Sequence, residues 1–261
     1  RMGIEDTIEA VFGKIAITQR TLDIYLSRFQ SAEQAVTQCE RAGSDGAGNM
    51  SFRDGRIVLS ETPRAEVISR LELIKNDLNW LKSREIVPAV SIQEPPAIVA
   101  RFRSMEGGAF LDDLLAADGS ARVFVSEDFF LRKMGFELFG VRSCWLQSLL
   151  MFLAEKKYLS YEEVVKNTCH LLSLGEVSLS ANYNMIIAAT RMLAKSEIDL
   201  TEFERFVSII GQPGADYSSH TQVTASALRI INWEHGLSSV KGPASNALLS
   251  SLLRNADGLT R

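Results

Sequence analysis

Apolar positions recur at helical spacing over most of the chain, with short extended runs between them. Ile4, Ile8, Val11 and Phe12 share one face and predict a short helix. Ile15-Ala16-Ile17 reads as a buried strand. Thr18 then reads as the N-cap of a helix that carries Leu22, Tyr25, Leu26 and Phe29 and runs to about Cys39. A glycine-rich break over 42–48 follows. Beyond it, Met50-Ser51-Phe52 and Ile57-Val58-Leu59 flank Asp54-Gly55, a turn signal that predicts a β-hairpin over 49–60. Thr62-Pro63 opens a helix with an apolar stripe of Val67, Ile68, Leu71, Ile74, Leu78 and Leu81, ending near Arg84. Residues 86–90 read as extended, and Pro95-Pro96 as a loop.

Downstream, 110–117 predicts a short helix, Val123-Phe124-Val125 a strand, and 129–139 and 145–155 two helices. Helix, strand and helix with short connections give the repeat of a parallel sheet. From Ser160 the pattern is helical throughout. Helices are predicted over 161–174, 181–195, 201–210, 222–234 and 245–253, the first opened by a capping box at Ser160 and Glu163. No fixed repeat period is present. The stripe of Met185, Ile186, Ala189, Met192 and Leu193 reads as core or as a partner-binding face. Trp80, Trp145 and Trp233 read as core or docking residues.

Composition adds constraints. At 261 residues and 46% hydrophobic, the chain has enough apolar material for a sizeable core. A net charge of -4 gives no support for non-specific nucleic-acid binding, which usually shows a basic face, although a bound cation inverts the field of an acidic site. Cys39, Cys144 and Cys169 are far apart and read as free thiols. His170, His220 and His235 lack metal-ligand spacing, and GxSxG, GxGxxG and P-loop patterns are absent. With no leader-like or membrane-length apolar run, a cytoplasmic protein is expected.

The chemistry concentrates in 110–134. Asp112 and Asp113 open a helix, and Asp128 follows a strand at the turn into the next helix. Ligands of parallel sheets gather beyond the carboxyl ends of the strands. Carboxylates converging there suit Mg²⁺ or Mn²⁺, which polarise a phosphodiester and activate water. A plainer reading stands beside this one. Asp112 and Asp113 complement a helix dipole, Asp128 caps its helix, Asp23 lies on a solvated face, and so do Arg132 and Lys133.

The segment LDDLLAADGSARVFVSEDFFLRKMGFELFGV resembles the second half of a PIN domain. SEDFFLR is similar to the SDD-x-x-LR form of PIN domains attached to large bacterial TPR and GreA/B-C-like proteins. The hairpin and the run EKKYLSYEEV also resemble that subgroup. The resemblance implies a three-layer α/β parallel sheet with a β-hairpin insert over residues 1–175, lacking its first strand, and a helical C-terminal extension over 176–261. It implies a metal-dependent ribonuclease acting on RNA with Mg²⁺ or Mn²⁺. Asp113 (or Asp112) takes the place of the helix acid and Asp128 that of the strand-end acid, with Glu127 assisting and Asp23 standing where the family has a glutamate. The family's first acid has no match, and it is expected upstream of Arg1 together with the first strand. The alternative is a catalytically degenerate PIN module used for interaction or regulation, with other domains of the same protein as partners.

Overall fold

The computed structural model describes residues 3–43, 46–53, 56–90, 97, 99, 101, 111–118, 121–176, 179–212 and 216–254. The chain divides into two compact units, Gly3–Cys144 and Trp145–Arg261. The boundary expected at 175 lies inside the second.

The first unit alternates helices and strands. Helix α1 (Glu5–Phe12) precedes β1 (Ala16–Thr18) and the long α2 (Gln19–Ala42). An antiparallel pair, β2 (Gly46–Arg53) and β3 (Arg56–Pro63), leads into α3 (Arg64–Lys82) and β4 (Glu85–Val87). Next come α4 (Leu111–Ala117), β5 (Phe124–Val125), α5 (Phe129–Phe139) and β6 (Ser143–Cys144). β1 pairs parallel with β4, Ala16 against Glu85, and β5 pairs parallel with β6, Phe124 against Ser143. The described residues form three separate two-stranded ladders.

Several boundaries differ from the sequence reading. The antiparallel strands extend beyond 49–60 at their open end, so Gly46 and Gly48 are strand residues rather than part of a break. Pro63 closes β3 and caps α3 instead of occupying its first turn. The sequence pattern does not predict β6. It is two residues long and gains its place only by pairing with β5. The loop expected at Pro95-Pro96, the turn at Asp54-Gly55 and Phe110 lie outside the described residues.

Among the described residues two apolar clusters hold this unit. In the first, Leu22 of α2 meets Leu78 and Leu81 of α3, with Ile17, Tyr25, Leu26, Phe29 and Trp80 packed around them. The second joins Val99 with Leu111 and Leu114 of α4, covered by Phe124, Leu131, Met134 and Phe139. Glu9 fastens α1 to the strand starts. Its Oε1 accepts the Ile15 amide at 3.0 Å and Arg84 Nη1 at 2.7 Å. These two bonds, the amide first, hold the Glu9 carboxyl below its usual range.

The second unit is helical: α6 (Leu146–Glu155), α7 (Tyr161–Ser173), α8 (Tyr183–Ala194), α9 (Leu200–Val207), α10 (Tyr217–Trp233) and α11 (Lys241–Leu253). α8 packs against α7, α9 and α10, and α11 against α9 and α10. Met185, Ile186, Ala189 and Met192 are buried, so that stripe is core. Phe203 and Phe206 of α9 are fully buried as well, whereas Trp233 is 81% exposed and is not a core residue. Capping boxes at Ser160–Glu163 and Asp199–Glu202 start α7 and α9. α10 begins five residues before its apolar stripe because Asp216 caps it, accepting from the amides of Ser218 and Ser219. α11 admits Pro243 in its first turn, where the missing N–H has no helical partner to lose.

All three cysteines are free thiols. Burial in α7 pushes the Cys169 thiol up to about 11, with Glu202 adding to the shift and Arg205 opposing it. At pH 8 a thiol titrating there is roughly one part in a thousand thiolate, and the thiolate is the nucleophile. Cys169 is therefore expected to alkylate slowly at pH 8 and to accelerate up to about pH 11, followed by peptide mass spectrometry. Fast labelling at pH 8 contradicts its burial.

Candidate functional site

The site is built on α4. Leu111, Leu114 and Leu115 are buried, while Asp112 and Asp113 lie half-buried in the same first turn. The helix packs against β1, α2, β5 and α5, so it touches both parallel ladders. The leucines lock the helix, and the lock fixes where the two carboxylates point.

Asp113 meets the carboxyl end of β1. Thr18 ends that strand, is buried, and caps α2 by accepting the Thr21 amide at 3.2 Å. The Thr18 hydroxyl donates to Asp113 Oδ1 at 2.5 Å, and the Thr21 hydroxyl reaches the same oxygen at 3.3 Å. The two hydroxyl oxygens are 3.2 Å apart. Asp113 thus sits against the first turn of α2, where the helix dipole favours a negative charge.

The other acids are placed differently. Asp128 is exposed and caps α5, its Oδ1 accepting the Leu131 amide at 3.0 Å. Its own amide donates to Ser126 Oγ at 3.2 Å. The Ser126 amide donates to the Cys144 carbonyl at 3.1 Å, and its carbonyl accepts Arg132 Nη1 at 2.5 Å. The Ser-Glu-Asp turn is therefore an ordered continuation of the β5–β6 ladder. Glu127 is half-buried within it. Asp23 is exposed on α2, where Gln19 Nε2 donates to it at 2.8 Å.

The structure thus joins Asp113 to Thr18 and Thr21, which lie more than ninety residues away in sequence. Asp128 stands at the head of α5 and Asp23 on an open helix face. Among the described residues no group of three or more His, Cys, Asp or Glu side chains is close enough to hold a metal ion. Sequence reasoning identifies Thr18 only as a cap and passes over Thr21. The signal that could have found them is a pair of hydroxyl residues three apart at a strand-to-helix junction.

The first unit is an α/β unit with short parallel ladders and an acid fastened at the carboxyl end of β1. One family model, the PIN domain associated with the TPR-GreAB-C-PIN system, matches residues 1–137. The match covers more than half of the chain, and the chain belongs to that family of PIN domains. It takes in Asp23, Asp112, Asp113, Glu127 and Asp128 and ends inside α5. No curated protein and no solved structure matches the chain. Among the described residues no helix is long and apolar enough to cross a membrane.

Proposed function

We propose that this PIN domain is a metal-dependent ribonuclease that hydrolyses RNA phosphodiesters in the cytoplasm. The observation that supports this reading is the attachment of Asp113 to the carboxyl end of β1 by two hydroxyls. The donors are hard oxygens, the kind that Mg²⁺ and Mn²⁺ take. Mg²⁺ is commonly held by one or two carboxylates together with waters and substrate phosphates, so a single fixed carboxylate suits it. Asp113 would hold the ion, with Asp128 and Glu127 as further ligands and Asp112 and Asp23 in supporting places. A cation held there would supply Lewis-acid polarisation of the phosphate and would lower the pKa of a bound water. Asp113 keeps its orientation through the threonines. Asp128 can cap α5 with Oδ1 and offer its second oxygen. In the same reading the two parallel ladders belong to one three-layer sheet and the antiparallel pair is an insert.

The test is cleavage of single-stranded RNA by the full chain with Mn²⁺. Asp113→Asn and Asp128→Asn are expected to reduce cleavage by about a hundredfold or more, as loss of a transition-state charge contact commonly does. Asparagine is also a good N-cap, so Asp128→Asn removes the charge and keeps α5 capped. Unchanged cleavage in both variants discards the assignment.

A second reading, a PIN module used for interaction with the TPR and GreA/B-C parts of its system, is favoured by a specific observation. Asp128 is engaged in capping and Asp23 by Gln19, so two of the candidate carboxylates already have structural work. No heat on titration with millimolar Mn²⁺ would decide for this second reading.

A further inference from the structure

We propose that Thr18 and Thr21 are positioning residues that turn Asp113 so that Oδ2 is its cation-contacting oxygen; this rests on the nuclease reading above. Helix capping alone does not single out threonine at position 18. A cap needs only an acceptor, and serine, asparagine and aspartate all supply one. Aspartate there would set a second negative charge against Asp113. A hydroxyl is the small group that accepts and donates at once. The Thr18 oxygen accepts the Thr21 amide at 3.2 Å, and its single proton goes to Asp113 Oδ1 at 2.5 Å.

Thr21 repeats the contact from the first turn of α2, at 3.3 Å to the same carboxylate oxygen. Two donors on one oxygen fix the rotation of the carboxyl group. Among the described residues both hydrogen bonds fall on Oδ1, which leaves Oδ2 as the oxygen for a ligand. Thr18 is only 5% exposed, so water does not readily replace its bond. The same hydroxyl that starts α2 therefore orients an acid on α4. Partners that hold a metal-ligating carboxylate commonly matter about ten- to a hundredfold in metal affinity.

The experiment measures Mn²⁺ affinity directly, by paramagnetic resonance of free Mn²⁺, on the full chain without RNA. Thr18→Val keeps the shape and removes the hydroxyl, and binding is expected to weaken about tenfold. Thr18→Ser is expected to restore it. Thr21→Val leaves the cap oxygen of Thr18 in place and is expected to weaken binding about threefold, a part of that same effect. It also serves if Thr18→Val fails to fold. If the wild-type chain binds Mn²⁺ and the folded variants bind it equally well, the positioning role is wrong and the nuclease reading survives. A Thr18→Val variant that loses melting temperature but no Mn²⁺ affinity overturns the positioning role in the same way. If the wild-type chain binds no Mn²⁺, both readings fall.

Discussion

Gly211→Ala is expected to destabilise the helical unit by about 3 kcal/mol, from the left-handed strain of one alanine together with the overlap it creates. Gly211 follows α9 with φ +73°, a conformation that favours glycine. A Cβ there would run into the carbonyl oxygen of Ser251, with the Leu252 Cα at 3.1 Å. These are backbone atoms of α11 and cannot rotate away. The Gly211 amide also donates to His220 Nδ1 at 2.8 Å, so a shift of this turn disturbs α10 as well. Gly175 provides the control. It has φ +88° and nothing within 4 Å of its added Cβ. Gly175→Ala carries the conformational cost alone, about 1–2 kcal/mol. Urea unfolding of both variants, followed by far-UV dichroism, separates the two contributions. Equal losses would show that α11 does not crowd Gly211.

The second large effect is expected at Gly135, where α5 lies against α4. An added Cβ would stand 2.9 Å from Leu114 Cδ2 and 3.6 Å from Val141 Cβ. Gly135→Ala gains about 1 kcal/mol of helix propensity, which offsets much of the cost of displacing one methyl. Gly135→Val has no such balance. Its two extra methyls enter a space walled by Leu114 and Val141, both buried, and overpacking of that kind costs about 1–3 kcal/mol. Because Asp113 neighbours Leu114 on α4, Mn²⁺ binding should fall with stability. Leu114→Ala in the Gly135→Val background makes room and is expected to recover part of both. If the double variant is as unstable as the sum of the singles, the two side chains do not compete for the same space.

How much of this is legible in the sequence follows from particular residues. Thr18, Asp128 and Ser160 announce helix starts because a short polar side chain before an apolar periodic run has a local use, and each caps a helix in the structure. The α5 helix is equally visible, whereas the first strand is read one residue early, at 15–17, and only Thr18 of its three residues is buried. β6 is not, since Ser143-Cys144 carries no pattern of its own and depends on β5. The start of α10 is hidden because Tyr217-Ser218-Ser219-His220 is polar, and only the cap at Asp216 marks it. Of the candidate site, the acids of α4 can be named from local sequence. The attachment of Asp113 to Thr18 cannot, because it joins positions 95 residues apart and depends on how Leu111 and Leu114 seat α4.

The pairing of β1 with β4 has a consequence for the order of folding. Ala16 must find Glu85 across a stretch that contains α2, the antiparallel strands and α3. Closing so long a loop for three residues of ladder is entropically unfavourable. The seam formed by Leu22, Leu78 and Leu81 is expected to bring the two helices together first and so to shorten the search. In kinetic experiments, truncating Leu78 should therefore slow refolding, whereas a change confined to Val87 should mainly hasten unfolding.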